Sequence, residues 1–166
     1  MLLKVAMMLI KLICVGKLKE NAYTLLVNEF AKRLGAYTEL EIIEVKDEKI
    51  PRNASEKEEA IVKTLEGNKI LNLLKADDYV ILFDLAGKHY SSIEFATWLE
   101  KASVKGNSKL TFIIGGSLGF SGEVINRSNE RISVSNMTFS HQLMRVIGLE
   151  QIYRAYKIIN NEPYHK

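Results

Sequence analysis

A chain of 166 residues suits one domain with one core and leaves no room for two full domains. An apolar share of 47%, a charged share of 26%, two prolines and ten glycines exclude a disordered linker or tail and match an ordinary soluble globular protein. The 23 basic and 20 acidic side chains leave a formal charge of +3, which tolerates a phosphate backbone but excludes binding driven by charge alone.

Met1 to Ile10 is apolar apart from Lys4, yet Lys11 interrupts the run and no small-residue cleavage site precedes Gly16-Lys17-Leu18-Lys19. The run is also too short to span a bilayer. Residues 1–7 are therefore expected to be an extension, with a single domain over 8–166. Ile10 to Val15 reads as a first strand. It contains Cys14, the only cysteine, which is expected to be a buried apolar thiol rather than a nucleophile. Glu20 to Leu34 has helical period and stops at Gly35, and Leu40 to Val45 reads as a second strand. A polar turn with Pro51 follows. Ser55 with Glu58 then has the spacing of a capping box and opens a helix to about Leu74.

Tyr79 to Leu85 is too short for a helix and reads as a buried strand. Ser91 or Ser92 can cap a helix through Trp98 to Ala102, and Leu110 to Ile114 forms a fourth strand ending in glycines. Strands alternating with helices imply an α/β fold, with a mainly parallel sheet covered by helices on both faces.

Ligands of such sheets bind at the carboxyl ends of strands. Three loops leave those ends: Asp84 to Lys88, Gly115 to Gly122, and Ser133 to Phe139. The glycine-rich second loop lacks the dinucleotide spacing and the lysine–hydroxyl pair of a phosphate loop. Its backbone can approach a ligand closely, or it can be a tight turn that binds nothing. His89, His141 and His165 lack metal-ligand spacing, so no metal site is expected.

Along the last helix, Glu150, Arg154 and Lys157 form one narrow polar stripe, while Val146, Leu149, Ile152, Tyr153, Tyr156 and Ile159 fill most of the remaining circumference. An arc that wide suggests burial on two sides, one against the sheet and one against a partner subunit. Arg145 interrupts the arc one turn after His141. An arginine there must be paired or meet an anion, which allows an ion pair across a dimer, an RNA phosphate or a ligand carboxylate.

The runs Ile113 to Ser117, Ser133 to Val146, Glu150 to Ala155 and Tyr164-His165-Lys166, with Ile10 to Lys17 at the start, resemble the RlmH family. These are SPOUT-class methyltransferases of N3 in a ribosomal pseudouridine. The likeness extends over nearly the whole chain from Met8. Relatives commonly carry proline where Ser140 stands, and a polar residue or proline near Leu118.

The resemblance implies a C-terminal trefoil knot, a homodimer and a cytoplasmic enzyme of ribosomal RNA. S-adenosylmethionine would be the methyl donor, with Phe83, Gly115, Val134, Ser135, Asn136, Met137, Thr138 and Phe139 around it. Arg145, Tyr164 and His165 are the candidate catalytic groups. Arg145, Arg154 and Lys17 are candidate RNA contacts, and no residue is singled out as general base. A SPOUT methyltransferase of transfer RNA and a non-catalytic ribosome assembly factor are the competing readings.

Overall fold

A computed structural model describes residues 7–105 and 109–165. Residues 1–6 of the expected extension, and Lys166, lie outside the described residues. The elements alternate: β1 (Leu9–Val15), α1 (Asn21–Leu34), β2 (Glu39–Val45), α2 (Glu56–Leu73), β3 (Tyr79–His89), α3 (Ser92–Val104), β4 (Lys109–Ile114), α4 (Gly122–Arg127), β5 (Glu130–Ser133) and α5 (His141–Ile159). The five strands form one sheet in the order β2-β1-β4-β3-β5. Every pairing is parallel.

The twofold alternation of β1 separates two cores. Ile10, Leu12 and Cys14 face α1, α3 and α5 together with Val27, Leu99 and Leu149. Ile13 and Val15 face α2 and α4 together with Ile70 and Val124. Burial pushes the Cys14 thiol up to about 12, so it packs as a hydrophobe and carries no thiolate at neutral pH.

The capping signals place two helices closely. The Ser55 hydroxyl accepts from the Glu58 amide at 3.3 Å, and the Glu58 carboxylate accepts from the Ser55 amide at 2.7 Å. Ser91 and Glu94 repeat that reciprocal pair at the start of α3. Each satisfies amides that the first helical turn leaves without partners. Among the described residues, no helix is long and apolar enough to cross a membrane.

Three features differ from the periodicity. α4 and β5 are six and four residues long, too short to show a period of their own. β5 exists because Asn129 clamps Val80, its amide donating to the Val80 carbonyl and its side-chain oxygen accepting from the Val80 amide, both at 2.8 Å. The third difference is β3, which runs to His89 rather than Leu85. Its register on β5 jumps between Phe83 and Lys88, so Asp84 to Gly87 bulge out before the strand rejoins its neighbour. Gly87 makes the return possible, since a Cβ there would lie 2.6 Å from the backbone of Arg131 and Ile132.

Helix α5 packs against both α1 and α3. Val146, Leu149, Ile152, Tyr153, Ala155 and Tyr156 are all buried within the single chain. Most of the wide apolar arc is thus covered within the chain, while Ile159 stays half-buried.

Candidate active site

The three strand-end loops meet. Phe83, Asp84 and Leu85 from β3, Gly115 to Phe120 after β4, and Ser133 to Ser135 with Met137 to Phe139 from the end of β5 onward line one cavity of about 660 Å³, closed on one side by Ser140, His141 and Met144 at the start of α5. That volume falls in the range of small-molecule sites. Seven of the eight residues expected around the methyl donor line it: Phe83, Gly115, Val134, Ser135, Met137, Thr138 and Phe139. Asn136 does not.

Local chemistry shapes each wall. Phe83 stacks on Phe112 at 5.4 Å and is held under α5 at Gly148, where a Cβ would stand 3.2 Å from its ring. Glycine at 115 lets the Phe120 ring close in, since a Cβ would lie 3.1 Å from it. Gly119 turns the loop back with φ +84, and its amide donates to the Gly116 carbonyl at 3.0 Å. After β5, the Ser133 hydroxyl donates to the Ser135 carbonyl at 2.9 Å, and the Ser135 hydroxyl accepts from the Met137 amide at 2.9 Å. These bonds hold a loop that leaves the apolar side chain of Met137 75% exposed.

Among the described residues, Asp84 is the one acid on the cavity wall, and Arg131 grips it from β5 with Nε at 3.0 Å and Nη2 at 2.7 Å. The pair fixes the bulge of β3 against β5. His141 caps the opposite side. Burial first, then the nearby Arg145 guanidinium, hold its imidazole below the usual histidine range.

Arg145 is 1% exposed and does not line the cavity. Its Nη1 donates to the Glu44 carboxylate at 2.6 Å, and its Nη2 donates to the Gly16 carbonyl. Glu44 also accepts from the Leu18 amide at 3.0 Å. Of the environments expected for this arginine, the structure supplies a pairing, but inside the chain rather than across a dimer. The guanidinium joins α5 to the ends of β1 and β2. Lys17 is exposed beside this junction.

Tyr164 and His165 are also away from the cavity of their own chain. The Tyr164 hydroxyl donates to Glu150 at 3.0 Å, its ring meets Tyr153 edge-on at 4.9 Å, and Arg154 lies over it at 4.7 Å. Arg154 also pairs with Glu150 at 2.5 Å and approaches His165 Nδ1 at 3.4 Å. The C-terminal tail thus folds along the polar stripe of α5. Asp84 and Phe120 lie in the loops expected to carry the site but were not singled out, and the lining residues outside those loops include Ile132, Met144 and His141. Only the last carried a visible signal, as a titratable group one turn before Arg145.

This arrangement defines a class. A family model described as "Predicted SPOUT methyltransferase" matches residues 8–165, and the chain belongs to that family. It is 57% identical over 157 residues to the "Ribosomal RNA large subunit methyltransferase H" of Clostridium novyi (strain NT), covering 95% of this chain and 99% of that protein. Proteins of the same name from Clostridioides difficile (strain 630) and Clostridium tetani (strain Massachusetts / E88) are 55% and 54% identical over the same length. Within the SPOUT class, the chain is a member of this methyltransferase H family.

Proposed function

We propose that this chain methylates the RNA of the large ribosomal subunit, using S-adenosylmethionine as donor and N3 of a pseudouridine as acceptor. The names of its relatives support the RNA class. The convergence of three loops on one cavity carries the reading for this chain. A trefoil knot formed by the C-terminal segment belongs to the same proposal, as does action in the cytoplasm, where such a substrate is met.

The residues fit a donor that combines a flat heterocycle, a cationic sulfonium and an amino-acid end. Phe83, Val134 and Met137 would supply apolar walls, while the backbones of Gly115 and of Ser135 to Met137 would supply polar partners. An aspartate on the wall and an imidazole kept neutral suit a cation, because neither adds positive charge beside it. When bound, the donor supplies a methyl group on a good leaving group. The protein's share of the work is to align the acceptor, exclude water and receive a proton.

A homodimer is part of this proposal. Met137, Leu85, Val134 and Phe139 present apolar surface at the cavity rim, and such a patch commonly marks an interface. Because Tyr164 and His165 do not reach their own cavity, an acceptor-side role for them needs the tail of a second copy. Arg154 and Lys17 remain candidate RNA contacts. Arg145, with its guanidinium engaged by Glu44 and Gly16, would act by holding the start of α5.

Isolated large subunits or ribosomes from cells lacking the gene, incubated with the purified protein and labelled donor, test the function. The expected product is one methyl group on N3 of a pseudouridine, located by mass mapping. Methylation of transfer RNA instead would favour the first competing reading. Donor binding without transfer to any ribosomal particle would favour an assembly factor.

A further inference from the structure

A small second cavity adjoins the first. It has a volume of about 220 Å³, lies between the Asp47–Ile50 loop and the glycine loop, and shares Gly116, Ser117 and His141 with the main cavity. His141 therefore stands at the junction of the two spaces. We infer that His141 is the proton acceptor of the reaction, taking the imide proton from the acceptor base at this junction. This rests on the function proposed above.

Elimination supports the assignment. Among the described residues lining the main cavity, Asp84 and His141 are the only ones with a carboxylate or imidazole side chain to receive a proton. Asp84 is held by two bonds from Arg131. The His141 ring makes no hydrogen bond to another described residue, so a ring nitrogen keeps its lone pair for a substrate. Gly16 leaves space beside it, since a Cβ there would lie 3.3 Å from His141 Nε2. The tail histidine, His165, is held at Arg154 instead.

The surrounding charges favour the neutral ring. Burial acts first, Arg145 of α5 and Lys19 after β1 act in the same direction, and Asp47 after β2 opposes them. Glu66 of α2, Lys49 and Glu48 also line the smaller cavity, and Glu48 is paired with Lys69. Burial pushes the Glu66 carboxyl up, which weakens its ability to hold an imidazolium. A neutral imidazole at physiological pH is the form a general base requires.

The step balances. A bond forms from N3 of the base to the methyl carbon, the carbon–sulfur bond breaks with its pair retained by sulfur, and the N3 proton passes to a His141 ring nitrogen. The resulting imidazolium returns its proton to solvent.

The test uses the intact protein, ribosomes and the variants His141→Asn and His141→Gln. Wild-type transfer should lose rate toward acid with an apparent pKa below the usual histidine value. The variants should lose roughly 10²-fold or more at neutral pH and should lack that acid limb. Donor affinity by calorimetry should stay within about threefold, since only the proton-accepting step is removed. In the donor-free wild type, the His141 ring should titrate below the ordinary range by NMR. The inference is overturned by variants within about threefold of the wild-type rate, by a rate loss matched by lost donor affinity, or by a ring that titrates above the ordinary range. It is also overturned if the acid limb survives in the His141 variants and disappears in His165→Asn. A wild type inactive on every ribosomal particle defeats the proposed function itself, whatever the NMR titration shows.

Discussion

Arg145 and Glu44 are 101 positions apart in sequence, and their side chains meet at 2.6 Å. One partner is buried and the other keeps contact with water, the Glu44 side chain being 39% exposed. The same guanidinium donates to the Gly16 carbonyl, where the chain turns with φ +93 at the end of β1. Three elements are thus tied at one point just beneath His141. Replacing Arg145 with alanine leaves a void and an unpaired carbonyl. Arg145→Ala should lose about 3 kcal/mol of stability, the lower end for breaking a buried pair because Glu44 remains hydrated. Urea unfolding of variant and wild type would measure it, and a loss under about 1 kcal/mol would show that the tie matters little.

The same pair has a pH signature. Burial works to raise the Glu44 carboxyl, but its bond to Arg145 and the Leu18 amide outweigh that and hold it below the ordinary value. A depressed carboxylate adds stability that is fully present above its unfolded pKa and is lost as pH falls through the folded one. Asp78, Glu58, Glu94 and Glu162 shift the same way, while Glu66 shifts the other. The difference between wild type and Glu44→Gln isolates the one group. That difference should shrink as pH falls below the ordinary carboxylate range; a gap that stays constant to acid would contradict it.

The bulge in β3 depends on Gly87. A Cβ there would stand 2.6 Å from backbone atoms of β5, which cannot move aside as a flexible side chain can. Gly87→Ala should therefore cost roughly 1–3 kcal/mol and shift β5 together with the Ser133–Phe139 wall. Calorimetric donor affinity should fall alongside thermal stability. An affinity equal to that of wild type would mean that the wall does not depend on this contact.

The C-terminal tail offers a separation of roles. Tyr164 packs on Tyr153 and bonds Glu150, and it does not line its own chain's cavity. Truncation before Tyr164 should leave donor affinity within about threefold and abolish methyl transfer to ribosomes. Transfer at the wild-type rate would remove Tyr164 and His165 from the acceptor side.

The loop after β5 is shaped by one hydroxyl. Ser135→Ala removes the acceptor of the Met137 amide bond, and losing such a bond is worth about 1 kcal/mol. A drop of roughly five- to tenfold in donor affinity is the expected result, with little change in melting temperature because the loop is exposed.

Much of the site was legible before folding because backbone chemistry is local. The glycines after β4 had to leave a strand end and parallel sheets place such ends together, whereas β5, ahead of the serine-rich run, was too short to read as a strand. Asn136 shows the limit of that reasoning: its position in the run says nothing about which side of the loop it occupies. Arg145 shows another. Helical geometry identified an arginine in an apolar arc, but its partners come from β2 and from the turn after β1.

The sequence by itself determined the alternation of strands and helices, the capped starts of α2 and α3, and the loops that carry the site. Those follow from periodicities and hydrogen bonds spanning a few residues. Only the tertiary structure decided that β3 bulges and rejoins β5, that Arg145 pairs within the chain, and that α1 and α3 cover the arc of α5. Each of these depends on contacts between segments tens of residues apart, and the pattern of any one segment carries no record of its partner.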